Sequence, residues 1–112
     1  MILVFADDCS VTALDDITQA NVHCEVIDVQ DGVFTFIDEH ATVLRPAFPE
    51  RTKRTLFGSW ASPDTFTLVP TQEQRPELLQ AIFDRQVSVS AGPRIRTYEE
   101  LVRELGRSSR RP

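Results

Sequence analysis

Glycine is scarce in this 112-residue chain, with four residues and no two adjacent, so no glycine-rich loop exists to cradle a phosphate. Cysteine is scarcer still. Cys9 and Cys24 are too few for a disulfide framework and match no paired metal-ligand spacing, which points to two reduced thiols. No apolar run approaches the ~20 residues that a membrane-spanning helix requires. The opening MILVFADD has neither the basic start nor the apolar length of a secretion signal. These gaps lead us to expect a cytoplasmic protein that spans no membrane and holds neither metal nor cofactor.

What is present is ordinary in amount and informative in pattern. At 41% hydrophobic and 26% charged, the chain has the composition of a soluble domain, and its length suits one core without disulfide or metal staples. We place a single domain over residues 1–106. The Arg-Ser-Ser-Arg-Arg-Pro segment at 107–112 reads as a disordered tail.

The periodicities predict an α+β fold: a hairpin-centred, mainly antiparallel sheet of about five strands, with two helices of the C-terminal half packed on one face. Ile2–Phe5 is a short apolar run suited to a buried strand. Residues 10–20 read as a loop with a possible helical turn. The dominant signal is Asp31-Gly32 between alternating apolar residues, the pattern of a two-residue hairpin. That register sets Ile27, Val29, Phe34 and Phe36 on one face, and Val26, Ile37 and Cys24 on the other. It also sets Glu25 opposite Asp38, a like-charge pair that marks a candidate site. Residues 65–69 alternate as a strand bounded by Pro63 and Pro70. Pro76 fits a first helical position, and Leu78, Leu79, Ile82 and Phe83 form the apolar stripe of a helix over 76–86. Val87–Ser90 returns to strand period. Thr97 and Glu100 form a capping box for a helix carrying Tyr98, Leu101, Val102 and Leu105, with Gly106 placed to end it.

Catalytic and metal chemistry find little footing. Residues 2–8, ILVFADD, superficially resemble the start of a response-regulator receiver domain. That family then needs a helix, a phosphoacceptor Asp after the third strand and a late Lys, which this chain does not supply in order. Cys9 follows two aspartates that oppose thiolate formation. Cys24 and His23 are sequence neighbours on opposite strand faces, and His23, Cys24 and His40 fit no zinc spacing.

Charge is the remaining lead. Residues 1–50 hold ten carboxylates against the single cation Arg45, a net −9, whereas residues 51–112 hold eleven cations against seven carboxylates, a net +4. A −9 half repels nucleic acid and attracts cations, so the leading expectation is a non-catalytic interaction protein that holds a basic protein partner, as an immunity or inhibitor protein would. The candidate acidic face comprises Asp7, Asp8, His23, Glu25, Asp38 and Glu39. A second candidate surface is the loop with Arg51, Lys53, Arg54 and Trp60. Two other classes compete: a small metal-dependent or hydrolytic enzyme using Asp7, Asp8, His23, Glu25 and Asp38, and a homodimer joined through the second hairpin face.

Overall fold

A computed structural model of the chain describes residues 1–48 and 65–109. The elements run β1 (Ile2–Ala6), β2 (Ser10–Leu14), α1 (Ile17–His23), α2 (Val26–Gln30), β3 (Phe34–Asp38), β4 (Thr42–Ala47), β5 (Thr67–Gln74), α3 (Pro76–Phe83), β6 (Ser88–Val89) and α4 (Tyr98–Ser109). The strands form one sheet in the order β5-β4-β3-β1-β2-β6. Every pairing is antiparallel except β2 with β6. The fold is α+β and mainly antiparallel, as the periodicities predict, with six strands and four helices among the described residues.

The pleat sorts the apolar side chains into two cores. On one face Leu3, Phe5, Val11, Ala13 and Ile37 are buried with Ile82 of α3 and Leu101 and Leu105 of α4. On the other, Val4, Leu14, Phe36 and Leu44 are buried with Ala20 of α1, Val29 of α2, Cys24 and Phe66. The two C-terminal helices thus share one face, as expected. The opposite face is covered as well, by helices that the alternating pattern had concealed. Proline shapes the sheet margin. In the observed register Pro46 would face Phe34 of β3, but it has no N–H to give, and the β3–β4 ladder stops at Phe36 and Leu44. Pro70 sits inside β5, the outermost strand among the described residues, opposite Leu44, and does not end the strand at 69.

The Asp31-Gly32 hairpin is a misreading that the structure corrects. Gly32 has φ of +76°, as a hairpin turn demands, but Asp31 is right-handed at φ −79°, ψ −2°. The Gly32 N–H donates to the Val29 carbonyl and the Val33 N–H to the Asp28 carbonyl. This pair of bonds is the Schellman stop of a helix. The same left-handed glycine serves both structures, so the dipeptide does not distinguish them. Residues 22–30 are therefore helical and turn-like, Ile27 is 62% exposed, and no register sets Glu25 against Asp38. The second hairpin face does not exist as a surface: Cys24 and Ile37 are fully buried, in different cores.

The two tight hairpins among the described residues carry no glycine. The β1–β2 loop is Asp7-Asp8-Cys9 and the β3–β4 loop is Glu39-His40-Ala41, each closing on a left-handed residue, Cys9 at φ 65° and Ala41 at φ 67°. Both match the three-residue hairpin whose last position usually takes glycine. Residues 10–20 resolve into strand β2 and the first half of α1, which Asp16 caps by accepting the Gln19 N–H at 2.9 Å. The Thr97 cap of α4 is present: its hydroxyl oxygen accepts the Glu100 N–H at 3.1 Å, and the Glu100 carboxylate accepts the Arg96 N–H. Gly106 does not end this helix, which runs to Ser109 and so takes in the start of the expected tail. Residues 94–96 form no strand.

Candidate functional site

The β1–β3 register separates the predicted acidic residues. Ala6 pairs with Phe34 and Ile2 with Asp38, so Asp7 and Asp8 follow one end of β1 while Asp38 and Glu39 lie at the other. Four strand steps make that separation roughly 14 Å. Glu25, Asp28 and Asp31 belong to the α2 segment, which feeds β3 at Phe34, beside the Asp7-Asp8 turn. The acidic groups thus form two sets, one at each end of the central strands.

The two sets are used differently. At the Asp38 end the carboxylates have local work. Asp38 Oδ1 accepts the backbone N–H groups of His40 and Thr42 at 2.8 and 3.0 Å, fixing the β3–β4 turn. Glu39 meets the Met1 ammonium at 2.9 Å; its burial would raise the carboxyl, and the ammonium contact together with a backbone hydrogen bond outweighs that and holds it below the ordinary range. Asp15 receives Arg94 at 2.8 Å, and this hydrogen-bonded guanidinium holds the Asp15 carboxyl below its usual value. Arg94 also reaches Glu104 at 3.0 Å, tying the β2–α1 corner to α4.

At the other end only Asp8 is engaged, accepting the Ser10 N–H and hydroxyl at 3.1 and 2.6 Å. Asp7, Glu25, Asp28 and Asp31 make no ion pair with any described residue. Glu25 precedes α2 at its N-cap without bonding the helix amides. The carboxylates of the N-terminal half that are free among the described residues thus belong to the β1–β2 turn (Asp7) and to the α2 segment that leads into β3 beside it (Glu25, Asp28 and Asp31).

His23 lies exposed in the last turn of α1, away from Asp38, and lines a shallow groove of about 440 Å³ with Val22 and the Ala91–Pro93 turn. The fold thus does not assemble Asp7, Asp8, His23, Glu25 and Asp38 into one pocket. Among the described residues no three His, Cys, Asp or Glu side chains converge on a point where a metal ion would sit. Cys9 is exposed and Cys24 is buried, with no bond between them. Burial, and then the nearby charge of Asp28, pushes the Cys24 thiol up to about 11, so it stays protonated at neutral pH. The Arg51, Lys53, Arg54 and Trp60 loop lies outside the described residues.

Two residues with large structural roles escaped the sequence reading. Asn21 clamps α1 to the residue that precedes β5: its amide donates to the Phe66 carbonyl at 2.9 Å, and its carbonyl oxygen accepts the Phe66 N–H at 2.9 Å. Arg94 links Asp15 at the β2–α1 corner to Glu104 of α4. Neither role has a local signature, since the partners are 45 and 79 residues away.

No family model matches this chain, and no curated protein or solved structure matches it either. Among the described residues no helix is long and apolar enough to cross a membrane.

Proposed function

We propose that the protein is a non-catalytic interaction module that holds a basic protein partner, and that the partner sits on the sheet end carrying Asp7, Asp8, Glu25, Asp28 and Asp31. The observation that carries this reading is the split just described. Carboxylates at the Asp38 end are occupied by turn amides and internal cations, whereas Asp7, Glu25, Asp28 and Asp31 have neither among the described residues. Unpaired like charges at one end repel each other, a standing cost that a cationic partner would relieve. An immunity-type role against a cationic enzyme fits this chemistry, and the −9 half disfavours general nucleic-acid binding. The unpaired thiols of Cys9 and Cys24 suit a reducing cytoplasmic setting.

The test is affinity capture from the source cell, followed by titration with the purified partner at several salt concentrations. A basic partner should bind more weakly as salt rises, and Asp7→Asn, Asp28→Asn and Asp31→Asn together should slow association at least tenfold. Asp38→Asn, at the far end, should leave the association rate unchanged. A partner of acidic or neutral surface, or binding indifferent to both salt and the triple change, refutes the reading.

A further inference from the structure

Arg45 is the only Lys or Arg in the first fifty residues, yet it makes no ion pair with any described carboxylate. Its place in the fold explains why. It lies on strand β4, opposite Val69 of β5, on the sheet face whose β1–β2 side is covered by α3 and α4. Over β3, β4 and β5 the described residues of that face form a shallow cleft of about 450 Å³, which Arg45, itself exposed, lines. Val43 and Thr71 form its floor, fixed together by the Thr71 hydroxyl donating to the Val43 carbonyl at 2.8 Å. Thr35 of β3 lies on one side with no hydrogen bond to its hydroxyl among the described residues. Glu73 of β5 lies at the opposite end, exposed and likewise without a cation.

The cleft therefore holds one cation and one anion that do not meet. The register accounts for their spacing. Arg45 is one same-face step along β4 from Val43, and the bulge between Thr42 and Leu44 brings both Thr71 and Glu73 beside Val43. One such step is roughly 7 Å along the strands and the neighbouring strand adds roughly 5 Å across, which sets the two backbone positions roughly 8–9 Å apart, a gap that the ammonium and carboxylate of a dipeptide can bridge with one hydrogen-bonded contact at each end. A guanidinium recognises a carboxylate bidentately, while Glu73 can accept from an ammonium but opposes a bare anion. We propose that this cleft is a binding site for a short zwitterionic peptide. Its carboxylate lies on Arg45 and the Thr35 hydroxyl, and its ammonium on Glu73. The site is separate from the acidic end and does not depend on the reading given for it.

The experiment is a heteronuclear NMR titration of the full chain with L-alanyl-L-alanine. Parallel titrations use N-acetyl-alanyl-alanine, alanyl-alanine amide and inorganic phosphate. The expected result is saturable shifts at the Thr35, Arg45 and Thr71 amides and at the Arg45 side-chain N–H. Affinity should fall at least tenfold for either blocked peptide, and for Arg45→Gln or Glu73→Gln with the free peptide. Both substitutions are at exposed positions, and an unchanged amide spectrum elsewhere verifies that each variant is folded. The proposal is overturned by the absence of saturable shifts at these residues. Phosphate or the acetylated peptide binding as well as alanyl-alanine also overturns it, by showing a plain anion site. So does the amide binding as well, which would show a plain cation site.

Discussion

Replacing Asn21 tests the logic of the fold at one side chain. Its amide makes three hydrogen bonds: it donates to the Ile17 and Phe66 carbonyls and accepts from the Phe66 N–H. The pair with Phe66 replaces a backbone ladder, for Phe66 precedes β5 and has no strand partner, while its ring is 1% exposed in the core beside Phe36. Asn21→Ala removes both long-range bonds and leaves a part-buried N–H and C=O without partners. At about 0.5–1.5 kcal/mol for each bond lost, plus incomplete resolvation of the orphaned groups, the expected cost is about 2–3 kcal/mol. For a domain of this size that lowers Tm by roughly 8–15 °C. Asn21→Asp is the sharper variant. A carboxylate still accepts the Phe66 N–H, but its second oxygen then faces the Phe66 carbonyl, which raises the carboxyl pKa in the folded state. A group with a raised folded pKa contributes stability below its unfolded value of about 3.9 and loses it as pH rises through the folded value. Asn21→Asp should therefore be most destabilised relative to wild type near neutral pH, and should recover part of the loss in acid. Urea unfolding followed by circular dichroism between pH 3 and pH 7 measures both effects. A loss for Asn21→Ala below 0.5 kcal/mol, or a pH-independent deficit for Asn21→Asp, refutes the clamp.

Four further outcomes follow from other contacts. Arg94→Met should cost about 1 kcal/mol at neutral pH, since the ion pairs with Asp15 and Glu104 are partly solvated. Because the Asp15 carboxyl is depressed in the folded state, that deficit should be present above about pH 4 and shrink below it in urea titrations. Gly92→Ala would set a Cβ 2.6 Å from the Ala13 carbonyl oxygen, so calorimetry should show a loss of about 1–3 kcal/mol. Ala41→Gly relieves a left-handed alanine and should leave stability equal or raise it by up to about 1 kcal/mol; a clear loss would contradict the three-residue turn. A thiol reagent should label Cys9 in the native protein and reach Cys24 only on unfolding, which mass spectrometry of the modified peptides resolves.

The sheet was legible wherever one period acted alone. Ile2–Phe5 is apolar at every position and buried on both faces as β1. The helices at Pro76 and Tyr98 carry both a stripe and a start signal, and both formed. Residues 22–30 failed because two periods fit them. Val22, Cys24 and Val26 alternate as a strand would, while Ala20 and Cys24 stand four apart on the buried side of α1. The tie was broken by contacts with Phe36 and Phe66, which no local window contains. The true hairpins were invisible because Cys9 and Ala41 occupy positions where glycine is the expected marker. Backbone strain was accepted there, and with it went the sequence signal.

The same turn chemistry explains why charge counting overstated the acidic face. Nine of the ten N-terminal carboxylates lie in the described residues. Asp8, Asp16 and Asp38 accept backbone amides at the three tight turns and starts that build the sheet margin. Asp15 and Glu39 hold internal cations. An aspartate that caps a turn already has its Oδ1 held by amides, so an incoming guanidinium meets a carboxylate with part of its accepting capacity in use and its orientation fixed by the turn. That leaves Asp7, Glu25, Asp28 and Asp31 as carboxylates able to receive a cation in full. Three of them lie on the α2 segment, which the Schellman stop at Asp31-Gly32 delivers into β3 next to the β1–β2 turn that carries Asp7. The dipeptide that misled the strand assignment is thus what gathers the free charge. Gly32→Ala, by straining that stop, should weaken binding of a basic partner as well as lowering stability, whereas Ala41→Gly at the far turn should leave binding unchanged.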